Sequence, residues 1–230
     1  NTSMNNHLLE PIAHIYTDFN DKFGIPRQSG RCPSLIGKIV FTPKYRVPEA
    51  LTAIEQFNYL WLIFDFTLSH RDDFSPTVRP PRLGGNKKVG VFATRSPFRP
   101  NNLGLSSVKL EKTDKNDTDG TYLIVSGVDI LNGTPIYDIK PYIPYADCHP
   151  DATEGYTKDT KNHLLNVDFP FDLLKIIEEC KREAVIDCLA DDPRTAYSED
   201  GKVFKMRFSK YDVEFFVTGD TLTVTNVRLL

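Results

Sequence analysis

The sequence predicts a mainly β protein, an N-terminal β-barrel followed by a small C-terminal α+β domain. Three observations carry that expectation. Short apolar runs broken by Gly, Pro, Asn and Asp fill the first two thirds of the 230 residues, a pattern of many short strands. A long helical pattern, Pro170–Ala190, comes late. Three more strand-like runs follow it. The expected division is residues 1–150 and residues 165–230, with the polar stretch Cys148–His163 as linker.

The elements follow in order. Ile12–Phe19 is a candidate strand, and Gly37–Thr42 alternates and stops at Pro43. Pro48–Phe57 predicts a short helix, with Pro at an N1-like position and helical spacing of Ala50, Leu51, Ile54 and Phe57. Tyr59–Phe66 is apolar apart from Asp65 and reads as a strand buried on both faces. Val89–Thr94, Gly104–Lys112, Thr121–Ile130 and Ile136–Tyr142 complete the first set. In Pro170–Ala190, the residues Leu173, Leu174, Ile177, Val185, Ile186 and Leu189 repeat on one face. The helix ends at Asp191-Asp192-Pro193, because the residue before proline disfavours the α region. Val203–Phe208, Val213–Val217 and Leu222–Val227 read as a three-stranded meander, with Gly219-Asp220 as a turn.

Composition narrows the function. The longest apolar run, Tyr59–Phe66, is far shorter than the roughly 20 residues that span a bilayer. Cys32, Cys148, Cys180 and Cys188 are widely spaced with no CxxC, which argues against a zinc site and for a reducing compartment. No secretory signal pattern is visible, so the expected location is the cytoplasm, without a membrane. The five histidines form no ligand-spaced pair, and no metal is expected. GxGxxG, GxxxxGK[ST] and HExxH are all absent.

Net charge is −3, yet Phe74–Leu110 holds no Asp or Glu while carrying Arg79, Arg82, Lys87, Lys88, Arg95, Arg99 and Lys109. Such a window attracts anions, or is a solvated basic surface. Within it, Val78–Gly104 (VRPPRLGGNKKVGVFATRSPFRPNNLG) sets two proline-limited, arginine-bearing loops on either side of a short strand. That arrangement suits a preorganised anion or nucleoside site. A second block, Val125–Tyr145 (VSGVDILNGTPIYDIKPYIPY), places Asp129 and Asp138 at or near strand ends. Asp129 beside Asn132-Gly133 also fits turn chemistry. Asp138, between Tyr137 and Ile139, needs a partner or a role.

These stretches carry a resemblance. IPRQSG (25–30), GKIVFTPKY (37–45), ALTAIEQFNYLWLIFDF (50–66), TVRPPRLGGNKKVGVFATRSPFRPNNLGLS (77–106), SGVDILNGTPIYDIKPYIPYAD (126–147) and DDPRTAY (191–197) make the chain similar to the TsaA-like (TrmO) family. Its members are tRNA N6-threonylcarbamoyladenosine methyltransferases. The resemblance implies an S-adenosylmethionine-binding barrel, a homodimer and a tRNA substrate modified 3′ of the anticodon. Carried over position by position, it implies cofactor contacts at Pro26, Arg27, Gln28, Arg95, Leu105, Asp129, Ile130, Leu131 and Asn132. Where many relatives have Phe-His-Gln, this chain has Phe66-Thr67-Leu68, with His70 three positions after Thr67.

A threonylcarbamoyl carboxylate and the anticodon phosphates match Arg79, Arg82, Lys87 and Arg99 as substrate contacts. Adenine N6 is poorly nucleophilic in that group, so a base helps, and Asp138 is the candidate. The alternative for Asp138 is an ion pair with Lys140 or an arginine. Two other readings of the chain are a non-catalytic S-adenosylmethionine- or nucleoside-binding module acting on RNA, and a cofactor-free RNA-binding barrel.

Overall fold

The computed structural model describes residues 7–80, 87–160, 164–195 and 198–230. The chain is mainly β. Six strands make the larger sheet: β1 (Ala13–Tyr16), β2 (Ile36–Phe41), β3 (Tyr59–Asp65), β6 (Leu103–Asn116), β7 (Gly120–Ser126) and β8 (Thr134–Pro141). Their order is β1-β2-β7-β6-β3-β8, and β8 pairs back onto β1, so the sheet closes on itself. All of these pairings are antiparallel. A two-stranded ribbon, β4 (Thr77–Val78) with β5 (Val89–Gly90), is separate from that ring.

The alternation of each strand explains the closure. On β3, Leu60, Leu62 and Phe64 are buried, and on β7 so are Leu123 and Val125. They meet Ile15 of β1, Ile39 of β2, Val108 of β6 and Ile136 of β8 inside the ring. Each such side chain contributes roughly 1.5–3 kcal/mol on leaving water. Closing the ring also removes the unpaired edges that invite aggregation.

The second unit begins with β9 (Asn166–Asp168), then α2 (Phe171–Leu174) and α3 (Glu179–Ala190), then β10 (Val203–Phe208), β11 (Tyr211–Thr218) and β12 (Thr221–Leu229). A single-turn helix, α1 (Pro144–Asp147), precedes them. The sheet order is β10-β11-β12-β9, with β9 parallel to β12. The expected meander is thus present with one more strand. Val167 is its sole apolar residue, too weak a pattern to be read from the sequence.

The expected helix Pro170–Ala190 is two helices. Between them Ile177 is fully buried, the Glu178 amide donates to the Tyr211 hydroxyl at 3.1 Å, and Arg182 Nε donates to the Ile177 carbonyl at 2.9 Å. Tertiary bonds here replace the helical ladder. The expected helix Pro48–Phe57 is two 3-10 turns, Pro48–Leu51 and Ile54–Gln56, divided by Ala53 at φ 69°. Leu51 and Ile54 both pack on the core through that kink. Val89–Thr94 is a strand only over Val89–Gly90, and a 3-10 turn follows at Val91–Ala93.

The two units share one core. Phe19, from the loop after β1, meets Phe208 of β10 edge to face at 5.6 Å between ring centres. Gly24, at φ 97°, lies against Met206 of the same strand so closely that a Cβ there would stand 2.5 Å from its sulfur. Gly24→Ala therefore combines a left-handed penalty with overpacking. It is expected to cost roughly 2–5 kcal/mol in urea unfolding. Gly30→Ala, at φ 79° but with open space around it, should cost only the backbone part, roughly 1–2 kcal/mol.

Candidate functional site

A cleft of 490 Å³ opens between the closed sheet and the loops at one end of it. That volume lies within the roughly 300–1,000 Å³ usual for small-molecule sites. Three loops and two strands build most of it, with Phe66–Ser69 after β3 and Thr134 of β8 completing the wall. The first loop follows β1 and brings Pro26, Arg27 and Gln28. The second, between β5 and β6, brings Thr94, Arg95 and Arg99. The third, between β7 and β8, brings Asp129, Ile130 and Leu131. Strand β3 contributes Trp61, Phe64 and Asp65, and β6 contributes Gly104, Leu105 and Ser106.

Each loop is locked by its own bonds. The Gly30 amide donates to the Gly127 carbonyl at 2.8 Å, and the Gly127 amide to that of Leu35 at 3.0 Å, which ties the first loop to the third. Gly127 and Gly133 take φ of 71° and 78°, so the third loop turns sharply at both ends. Arg31 pairs with Asp191 at the end of α3, Ser34 with Asp187, and Lys181 with Asp18. Arg27 donates to the Arg194 carbonyl. The second unit thus holds the first loop in place. The second loop is closed by Asn102 Nδ2, which donates to Pro97 O at 2.7 Å and to Ser69 O at 3.1 Å.

The charges are arranged unequally. Arg95 donates to Gln28 Oε1 at 2.5 Å, and Arg99 to the carbonyls of Thr94 and Ser96 at 2.9 and 3.2 Å. These acceptors are neutral, and among the described residues neither guanidinium forms an ion pair, although Asp129 acts on Arg95 through space. Asp129 faces them from the third loop. Its Oδ1 is buried and has no hydrogen-bond partner among the described residues. Burial pushes its carboxyl up to about 6, against the opposing pull of Ser106, the Ser29 backbone and Arg95. An orphaned buried carboxylate oxygen in a cleft is a vacancy for a hydrogen-bond donor or a cation.

Eight of the nine expected cofactor positions border this cleft. Asn132 does not. Its Oδ1 accepts from the Thr17 amide at 3.0 Å and its Nδ2 donates to Asn20 at 2.9 Å, so it braces the loop. Phe66, Thr67 and Leu68 do line the cleft. Arg99 reaches it, while Arg79 and Lys87 are exposed beside β4 and β5 and do not. Arg82 lies outside the described residues.

Asp138 takes the ion-pair alternative. The carboxylate is 46% exposed, pairs with Lys140 at 2.9 Å, and does not border the cleft. The structure brings another carboxylate there instead. Asp65, 8% exposed at the end of β3, holds His70 Nε2 with both oxygens, at 2.8 and 2.9 Å. The same signal, an acid within an apolar run, marks Asp65 in the sequence. Lys22 is a further cleft residue with no sequence signal. It donates to Leu68 O at 2.8 Å and Ser69 Oγ at 3.0 Å, and burial lowers its pKa. Among the described residues, no three of His, Cys, Asp and Glu group to hold a metal ion.

Comparison with known proteins decides the family. The tRNA-methyltransferase O N-terminal domain model matches residues 14–148, and the TrmO C-terminal domain model matches residues 162–230. The chain belongs to the tRNA-methyltransferase O family. A tRNA (adenine(37)-N6)-methyltransferase of Escherichia coli (strain K12) is 35% identical over 94% of this chain and 95% of its own. A putative S-adenosylmethionine-dependent methyltransferase RcsF of Pseudomonas aeruginosa is 37% identical over 96% and 97%. Among solved structures, TrmO from Pseudomonas aeruginosa aligns over 100% of both chains with a TM-score of 0.82 and 32% identity. Within this family fold, the cleft joins the arginines of two loops to the buried carboxylate of a third.

Asp129 sets a pH signature. A carboxyl raised from 3.8 to about 6 holds its proton longer in the folded than in the unfolded chain. Folding stability from this group therefore falls as pH rises from about 4 to about 6, and stays low above. Asp129→Asn removes that penalty. It is expected to raise the unfolding free energy by roughly 1–3 kcal/mol at pH 7.5, with the gain vanishing near pH 4 in calorimetric melts.

Proposed function

We propose that this chain transfers a methyl group from S-adenosylmethionine to N6 of the threonylcarbamoyl-modified adenosine 3′ of the tRNA anticodon (position 37). It is a tRNA methyltransferase by family. What supports the finer reading is the gathering in one cleft of Arg95 and Arg99, hydrogen-bonded to neutral acceptors, with Asp129, whose Oδ1 has no hydrogen-bond partner among the described residues.

The cofactor supplies an electrophilic methyl on a sulfonium, and it also carries a carboxylate, an ammonium and hydroxyls. The cleft's donor set fits those groups. Arg95 and Arg27 suit the carboxylate, and Asp129 suits a hydroxyl or a cationic nitrogen. Ile130, Leu131, Leu105 and Phe64 supply apolar wall and exclude water. Arg99, with Arg79 and Lys87 further out, suits the threonyl carboxylate and the phosphates. Asp65, oriented by His70, is the group placed to take the N6 proton. In this reading the closed sheet is the cofactor-binding barrel, residues 165–230 brace it, the chain works as a homodimer, and it works in the cytoplasm.

The test uses S-adenosylmethionine labelled on the methyl and two tRNA pools, one from cells that make threonylcarbamoyladenosine and one from cells that do not. Label is expected only in the threonylcarbamoyl nucleoside of the first pool after digestion and mass spectrometry. Cofactor binding with no label in either pool would favour the non-catalytic module. In the same assay Asp65→Asn should lower kcat by roughly 10²–10⁴-fold, while Asp138→Asn stays within a few-fold of the parent. Equal loss in both would remove Asp65 from the mechanism.

A further inference from the structure

Outside the cleft, an aromatic pair that the core does not use flanks the β4–β5 ribbon, Phe74 before β4 and Phe92 in the 3-10 turn after β5. Phe92 is 75% exposed and Phe74 55%. Their rings stack with centres 6.4 Å apart and planes 25° off parallel. Neither belongs to the hydrophobic core. Two large aromatic faces left in water, side by side and nearly parallel, retain surface that a flat apolar partner would cover.

The surroundings say which flat partner fits. Exposed Arg79 and Lys88 sit next in register beyond the paired Val78 and Val89 of the ribbon. From Phe74 to Leu110 there is no acidic residue. Cations at the far end of the ribbon from a stacking face match a polyanion with π faces that runs along it, a single-stranded nucleic acid. Asp72 and Asp73, immediately before Phe74, disfavour phosphate at that edge, so the backbone runs along the Arg79–Lys88 side. Phe92 also lies three residues before Arg95, which borders the cleft. Three residues span at most about 11 Å. A base stacked on the pair therefore belongs to a nucleotide close to the one in the cleft.

We propose that Phe74 and Phe92 form a stacking platform for an unpaired base of the tRNA anticodon loop flanking the target nucleotide. The platform rests on the tRNA methyltransferase reading. It adds to that reading a contact that binds loop bases without reading their identity, because every base offers a π face.

Both side chains are exposed, so their variants should fold, which melting curves would verify. Binding of unmodified tRNA and the KM for modified tRNA are measured for the parent, Phe92→Ala, Phe92→Leu, Phe92→Trp and the Phe74→Ala/Phe92→Ala pair. Stacking predicts a KM and Kd roughly five- to a hundredfold higher for Phe92→Ala, with kcat and S-adenosylmethionine affinity unchanged. Phe92→Leu should behave as Phe92→Ala, since it keeps apolar bulk but loses the ring, and Phe92→Trp should behave as the parent. The slope of log Kd against log salt should be unaltered in these variants and fall by about one in Arg79→Ala.

Parent-like KM and Kd in Phe92→Ala, alongside normal methyl transfer by the parent, would overturn the platform and leave the function standing. A parent that methylates no tRNA fails the function, and the Kd series then decides the platform by itself. A change of oligomeric mass in Phe92→Ala would make the pair an interface between copies and overturn the proposal.

Discussion

The site depends on the grip of the C-terminal helix on the loop after β1. That loop has no regular structure between Tyr16 and Ile36, yet it must present Pro26, Arg27 and Gln28 to the cleft. Lys181–Asp18, Arg31–Asp191 and Ser34–Asp187 fasten its two ends to α3. Phe19 and Gly24 fasten its first half to β10. The ion pairs are partly buried, so breaking one leaves a charge without compensation, which is costlier than losing an exposed pair. A module that, among the described residues, places none on the cleft wall therefore controls its geometry.

Electrostatics follow from that scaffold. The arginines of the second loop are satisfied by carbonyls and an amide, which fix their planes and leave their charge. The carboxylate opposite them is buried and short of one donor. The buried carboxylate weakens the fold, since burial disfavours its charged form. Strain of this kind concentrates at sites, because the rest of the fold offsets it. Here the continuous core from Ile15 to Val227 does so.

Much of this was legible in the residues. Alternation in Gly37–Thr42 and the apolar run Tyr59–Phe66 marked strands because burial on a pleated sheet leaves a period-two record. The arginine loops of Val78–Gly104 were visible as an acid-free window. What escaped was set by tertiary partners. The break at Ile177 depends on Tyr211, distant in the chain, and the kink at Ala53 on where Leu51 and Ile54 find the core. Lys22 gave no signal, because its role comes from two backbone and side-chain acceptors more than 40 positions away.

Asp65 and Asp138 show why one local signal can have opposite outcomes. Both are acids in apolar strands, and β3 and β8 are neighbours. Simple alternation from buried Ile136 would turn Asp138 into the ring. A bulge intervenes, since Phe64 pairs with Ile136 but Ile63 already pairs with Asp138. The extra residue reverses the phase of β8, so Ile139 faces Leu62 in the core and Asp138 turns out to Lys140. On β3 the phase runs unbroken from Leu60 through Leu62 to Phe64, inward. Asp65 is thereby sent to the other face, at the strand end where the loop from Phe66 to His70 folds over it. The inserted residue leaves Asp138 in a surface ion pair while Asp65 stays buried beside the cleft, and a period-two reading of β8 alone cannot register it.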